Sequence, residues 1–306
     1  MKNSILISLL VIALCTSCSS DRETQSGQKF SVVKKGDGNV IAARKIMVME
    51  FLFKDGKDSV WYDTHKNPYP QIMQKQEKPQ AGDKLMEVMY MMTKGDSVVL
   101  KMSASDLFTK SFRQPVPPKV DTTKAFTFCI MMKEVLDSVQ FEKFRADLVA
   151  KQNEKALKQQ QEQLGKDTVL IDTYLKEKNI TVLKTSSGLR YTITKPGKGE
   201  NAKEGQTTKV NYAGYLLNGK YFDTNIENVA KEKNMYREGG RYLPYEVTIG
   251  RSSVIQGWHE ALKLMNKGAK MTVFIPSTLA YGSRARSADI TENSILAFDL
   301  EIIDIK

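Results

Sequence analysis

The sequence predicts an α+β protein: two strand-rich units on either side of a helical connector. Three observations carry that expectation. Residues 29–136 and 184–306 hold runs of branched and aromatic residues separated by turn signals. Residues 137–183 lack such runs and read as helix. The parts of the first unit recur in the same order in the second, which marks an internal repeat. At 306 residues the chain is long enough for two modest domains plus a connector.

Residues 1–18 read as an export leader: Lys2, an apolar run from Ile5 to Leu14, then small residues. The run is too short to span a bilayer as a finished helix. It ends in Leu14-Cys15-Thr16-Ser17-Cys18-Ser19-Ser20. This resembles the lipobox of bacterial lipoproteins, in which a small residue precedes the cysteine that is lipidated and becomes the new N-terminus. Ser17-Cys18 fits the pattern, while Cys15 stands where an aliphatic residue is usual. The resemblance implies lipidation at Cys18, membrane attachment through that lipid, and residence in the bacterial cell envelope, at the periplasmic or surface face of the outer membrane. Residues 19–28 then form a polar tether. With Cys15 and Cys18 so assigned, Cys129 remains and no internal disulfide follows. In the apolar run from Phe126 to Met132 it is expected to be a buried thiol.

The net charge of +11 accompanies 41% apolar and 26% charged residues, a globular composition. Lysines are interleaved with Glu and Asp, and no arginine-rich stripe forms, so the charge reads as solvated surface and no nucleic-acid partner is expected. His65 and His259 are the two histidines of the chain, too few for a metal cluster. His259 is expected on a helix surface.

In the first unit, residues 45–53 run into the turn signal Lys54-Asp55-Gly56-Lys57, then Val60 to Thr64, a helix-like stretch around Leu85 to Met92, the turn at Thr93 to Asp96, a strand at 97–102 and a last strand at 126–132. Met86, Met89, Met91 and Met92 are expected in the core, with an adaptable client-binding surface as the sharper alternative. In the connector, Val139, Phe141, Phe144 and Leu148 give an apolar face. Gln152 to Gln163 is almost wholly polar, Gly165 is expected to break the helix, and residues 167–180 to form a second short one. A homodimer through a coiled coil remains an option, although apolar heptad positions are not sustained. In the second unit, residues 208–224 are expected to form a hairpin around Leu217-Asn218-Gly219-Lys220. A strand at 245–249, a short amphipathic helix after Val254 to Trp258, a Lys-Gly turn, a strand ending in Ala280-Tyr281-Gly282 and a last strand at 295–305 complete it.

Residues 244–282 offer apolar and aromatic side chains at a helix start beside a tyrosine hydroxyl, equipment for a pocket that works by shape and desolvation. The unit at 184–306 closely resembles FKBP-type peptidyl-prolyl isomerases. The matching residues are Val210-Asn211-Tyr212-Ala213-Gly214, Asn218 to Asp223, Val254-Ile255-Gln256-Gly257-Trp258, Ala280-Tyr281-Gly282 and Leu296-Ala297-Phe298-Asp299. The resemblance implies a twisted antiparallel sheet around a short helix, with the active pocket between them. It implies Trp258 as the pocket floor and Tyr212, Phe222, Tyr245, Val254, Ile255 and Phe298 as walls. The Ile255 N–H and the Tyr281 hydroxyl would meet substrate carbonyls, Asp223 would sit hydrogen-bonded at the rim, and Ile290 would help cover the proline. Catalytic roles fall on Tyr212, Phe222, Asp223, Ile255, Trp258 and Tyr281, substrate binding on Tyr245, Val254, Ile290 and Phe298. The implied partners are proline-containing exported polypeptides, and no cofactor or metal is implied.

Two departures stand out. The segment from Asp223 to Pro244 is much longer than in compact members and is expected to form a helix-bearing flap. Arg284 and Arg286 stand where small or apolar residues are usual. The first unit resembles the family weakly: Tyr62-Asp63 parallels Phe222-Asp223, Phe108 parallels Tyr281 and Phe128 falls near Phe298. Its helix start, Asp83-Lys84-Leu85-Met86, lacks the tryptophan. That unit is expected to keep the fold and be catalytically silent.

Overall fold

Sheet pairing decides the architecture. The structure is a computed structural model and describes residues 20–67 and 69–306. The leader and the expected lipidation site Cys18 lie outside the described residues. The chain divides into two compact units, one ending at Gln152 and the other beginning at Asn153.

The first unit contains β1 (Ser20–Glu23), β2 (Lys29–Lys34), β3 (Ile46–Lys54), β4 (Val60–Asp63), β5 (Gln71–Gln74), helix α1 (Lys84–Met91), β6 (Ser97–Met102) and β7 (Phe126–Leu136). They form a seven-stranded antiparallel sheet in the order β1-β2-β6-β7-β3-β4, with β5 also on β3. Residues 19–28 were expected to be a tether, but Ser20–Glu23 pairs along β2 as an edge strand. The reversal is made at Gly27, whose φ of +83° suits glycine. The hydroxyl of Ser26 then donates to Glu87 at 2.6 Å. Period-two alternation along β7 buries Phe126, Phe128, Ile130 and Met132. The same alternation turns Cys129, expected to be buried, to the other face, where it is half-buried. Met89 on α1 and Met92 just beyond its end are in the core, Met86 packs against it, and Met91 is exposed.

Helix α2 (Ser138–Glu177) is a single run of 40 residues. Sequence reasoning expected a break at Gly165; the helix passes straight through it. A mid-helix glycine costs about 1 kcal/mol relative to alanine, and the packing of the last turns offsets it. Ile171 and Leu175, one turn apart on one face, are buried with Phe274, Ile295 and Ala297, each worth roughly 1.5–3 kcal/mol. Asp172 adds a two-pronged pair with the Arg190 guanidinium, both contacts at 3.0 Å. The second half of α2 is therefore part of the second unit. In the first half, Phe141, Phe144 and Leu148 are half-buried, whereas Val139 is exposed.

The second unit continues with β8 (Leu183–Lys184), β9 (Arg190–Lys195), β10 (Lys198–Asn201), β11 (Thr207–Leu216), β12 (Tyr221–Thr224), α3 (Glu227–Glu232), β13 (Tyr245–Thr248), α4 (Gln256–Lys263), β14 (Asn266–Lys267), β15 (Lys270–Ile275) and β16 (Leu296–Ile305). Its seven-stranded sheet runs β8-β9-β15-β16-β11-β12, with β13 also on β11, while β10 and β14 form a small separate ladder. Strand for strand this is the wiring of the first sheet. In each unit the short helix lies on one face: Leu85, Val88 and Met89 in the first core, Trp258, Ala261 and Leu262 in the second. Gly257 lets α4 approach closely, since a Cβ there would stand 2.4 Å from Ile275 Cγ2.

Candidate active site

The candidate site lies where β11, β12, β16 and the start of α4 converge. Trp258, on the first turn of α4, is buried and is met edge-on by Tyr212 at 5.1 Å and by Phe298 at 5.3 Å between ring centres. Phe222 stands edge-on to Phe298 at 5.6 Å, and Tyr245 closes the ring at 6.5 Å from both Tyr212 and Trp258. Edge-to-face pairs of this kind contribute about 0.5–1.5 kcal/mol each beyond the area they bury. Gly214 makes the arrangement sterically possible. A Cβ at that position would fall 2.6 Å from Phe298 Cε1 and 2.8 Å from the Phe222 ring. The two rings close over the strand here because Gly214 has no side chain.

Polar groups orient the rim. The Tyr212 hydroxyl donates to Asp223 Oδ2 at 2.9 Å. Burial, reinforced by the Asp223 carboxylate, pushes the Tyr212 hydroxyl well above the ordinary phenol range, so it remains a donor. Asp223 itself is exposed. Ile255 is the N-cap of α4, with φ −62° and ψ 149°. An N-terminal N–H has no partner within the helix, which leaves it directed outward. Val254 and Ile255 pack against the core, and Ile290 is buried in it. Tyr281 stands apart from the aromatic ring, 38% exposed, with the Arg286 guanidinium 5.9 Å from its ring centre.

Two residues escaped sequence reasoning. Asn225 is buried behind the rim. It accepts the Tyr212 N–H at 2.7 Å and donates to the carbonyls of Val210 and Leu243, both at 2.9 Å. It thus ties β11 to the returning end of the flap. The sequence carries no signal for this, because the partner at Leu243 is brought back only by the fold. His259, expected on the helix surface, is buried. Its Nδ1 accepts the Gly250 N–H at 3.0 Å, so the ring proton sits on Nε2, which donates to the Ser252 carbonyl at 3.1 Å. It braces the loop entering α4.

The long segment after Asp223 forms α3 and a loop in which Tyr236 stacks on Tyr242 at 5.6 Å and 10°. The Arg237 N–H donates to the Tyr242 hydroxyl at 2.8 Å. Across from β12 this flap bounds an open groove of about 950 Å³, which shares Phe222 and Asp223 with the aromatic cluster.

A cluster of aromatic rings over Gly214, with a carboxylate-held hydroxyl at its edge, makes this the candidate binding site. Residues 198–303 match the family model described as FKBP-type peptidyl-prolyl cis-trans isomerase. That match lies wholly within the second unit. Similar proteins include a probable FKBP-type peptidyl-prolyl cis-trans isomerase of Haemophilus influenzae, 40% identical over 40% of this chain and 44% of that protein. FkpA, an FKBP-type peptidyl-prolyl cis-trans isomerase of Escherichia coli K12, is 38% identical over 44% of this chain and 43% of its own length. The outer membrane protein MIP of Legionella longbeachae is 33% identical over 57% of this chain and 66% of its own. The chain spans about half the length of the first of these relatives.

Proposed function

We propose that the second unit is a peptidyl-prolyl cis-trans isomerase that acts on exported polypeptides. The observation that carries this reading is the aromatic cluster over Gly214, built on Trp258 and edged by the Tyr212–Asp223 hydrogen bond. An X–Pro amide rotates over a barrier of about 18–20 kcal/mol because resonance gives its C–N bond double-bond character. The twisted state has lost that charge separation, so a dry aromatic hollow favours it over the planar states. Trp258, Phe222 and Phe298 hold the proline ring, with Tyr245, Val254 and Ile290 around it. The Ile255 N–H and Tyr281 hydroxyl fix the flanking carbonyls, and Asp223 with Tyr212 keeps the rim in place. Lowering the barrier by about 5–8 kcal/mol corresponds to roughly four to six decades in rate. The leader and Cys18 support an envelope protein anchored by its N-terminal lipid.

The test uses the full chain in an isomerisation assay on proline peptides, by NMR exchange or protease coupling, wild type against Asp223→Ala and Phe222→Ala. Wild type accelerates exchange and both variants lose most of the acceleration. Equal rates in all three would remove the enzyme reading.

A second reading, a client-holding chaperone or adaptor, draws on the first unit. Trp61, Tyr69 and Phe112 there expose large apolar surface. It predicts suppression of a model client's aggregation that persists in Asp223→Ala and falls when Trp61 and Phe112 are replaced by Ser.

A further inference from the structure

Tyr281 sits on a loop anchored from an unexpected place. Asp167, in the helix that precedes the family-matched region, is 1% exposed. Its Oδ2 accepts both the N–H of Ser277 at 2.7 Å and the hydroxyl of Ser277 at 2.6 Å, and its Oδ1 accepts from Gln163 at 2.7 Å. Ser277 opens the turn after β15. Its carbonyl accepts the N–H of Ala280 and the N–H of Gly282, each at 2.9 Å, the two residues that flank Tyr281. An unbroken series of hydrogen bonds therefore runs from the Asp167 carboxylate through Ser277 to the backbone on both sides of the tyrosine.

Among the described residues no lysine or arginine pairs with Asp167 within 4 Å. Burying a carboxylate without a cation is expensive, and an apolar residue would pack α2 on the sheet at lower cost. Three donors aimed at the carboxylate offset that cost, and what they fix is the Tyr281 loop. The other unit supplies an internal control. The register makes Phe128 the counterpart of Phe298, and Met102 the counterpart of Ile275. Counting on from there, Ala104 takes the place of Ser277 and Phe108 that of Tyr281. The hydroxyl that grips the helix and the hydroxyl that would face substrate are missing together.

We propose that Asp167 is a positioning residue for the isomerase site, holding the Tyr281 hydroxyl through Ser277 and making the end of α2 part of the catalytic unit. The proposal rests on the isomerase reading of the second unit. It is tested in the full chain by crossing Asp167→Asn with Tyr281→Phe. Asp167→Asn lowers kcat/KM about fivefold in the wild-type background, the effect of one misplaced hydrogen bond, and less than about twofold once Tyr281 has lost its hydroxyl. Equal factors in both backgrounds, or an unchanged kcat/KM, overturn it, because a merely structural role adds independently of Tyr281. Should Asp167→Asn fail to fold, Ser277→Ala enters the same cycle with the same criteria. Amide exchange gives a reading that does not depend on activity: protection at Ala280 and Gly282 falls in Asp167→Asn. If wild type shows no isomerisation, the isomerase reading fails on its own, and unchanged protection of these two amides still overturns the anchoring.

Discussion

At one register position the two units part company. In the second unit Gly214 pairs with Phe298 across β11 and β16; in the first, Phe53 pairs with Phe128 across β3 and β7. The side chain that Gly214 lacks would collide with Phe298 and Phe222. Phe53, which has a side chain at that register position, stacks 4.9 Å from Phe128, the counterpart of Phe298, and 6.0 Å from Tyr62. In one sheet two rings lie against bare backbone; in the other a third ring is inserted at that register position. The lesson is that the first unit is closed by an added ring as well as by missing pocket residues. Restoring a tryptophan to its helix would not reopen it.

The largest expected effect comes from turning one unit into the other. Gly214→Phe should reduce isomerisation of proline peptides by the full chain by more than about 100-fold, a loss of about 2.7 kcal/mol or more in transition-state stabilisation. Gly214→Ala should fall between that and wild type, because its Cβ alone forces both rings to shift, with an overpacking cost of about 1–3 kcal/mol in stability. Activity retained in Gly214→Phe would mean that substrate does not occupy the hollow between Phe222 and Phe298.

The rim is the next contrast. The register places Phe51 where the second unit has Tyr212, so Asp63 has no hydroxyl to accept there and instead accepts the N–H of His65 at 2.9 Å. Tyr212→Phe makes the catalytic unit imitate that state. It should lower kcat/KM about tenfold by freeing the Asp223 carboxylate. Stability should change by less than about 1 kcal/mol, because Asp223 is exposed and recovers water. A thermal shift as large as that of a core truncation would assign the bond to folding rather than to the site.

The reverse change in the first unit sharpens the comparison further. Phe53→Ala removes a ring that stacks on two others and should cost about 2–4 kcal/mol. Calorimetry on the full chain should show a fall of several degrees in the first unit's transition, with isomerase activity unchanged. Any gain in activity that survives inactivation of the second unit by Gly214→Phe would contradict the silent assignment.

Much of this was legible in the sequence, for identifiable reasons. An apolar run gave β7, alternation gave β16, the Asn218-Gly219 turn gave the hairpin of β11 and β12, and five separated motifs put Tyr212, Phe222, Trp258 and Phe298 in one family pattern. What was not legible depends on register or on contacts distant in sequence. Phe53 reads as one more strand aromatic until its partner is known to be Phe128. Asn225, His259 and Asp167 are polar residues in polar stretches whose burial is set by Leu243, Gly250 and Ser277. Gly165 looks like a helix breaker, and only the packing of Ile171 and Leu175 shows why the helix continues.

The smallest effect expected concerns that helix and separates the two units by pH. Arg190 hydrogen-bonds Asp172 and, with Lys184, holds its carboxyl below the usual aspartate range against a modest desolvation. A carboxylate whose folded pKa is depressed contributes stability above its unfolded value near 4, and that contribution is lost as pH falls through the lower folded value. Asp172 is 39% exposed, so screening limits the effect to under about 1 kcal/mol. In the first unit the corresponding half of α2 rests on the half-buried Phe141, Phe144 and Leu148, apolar groups that do not titrate. The chain's two tryptophans, Trp61 and Trp258, fall one in each unit. In Trp61→Phe, fluorescence reports the second unit alone, and its urea midpoint should decline between about pH 5 and pH 3. Adding Asp172→Asn should flatten that decline while lowering the midpoint at pH 7. An unchanged acid slope in Asp172→Asn would mean that the end of α2 is held by Ile171 and Leu175 alone.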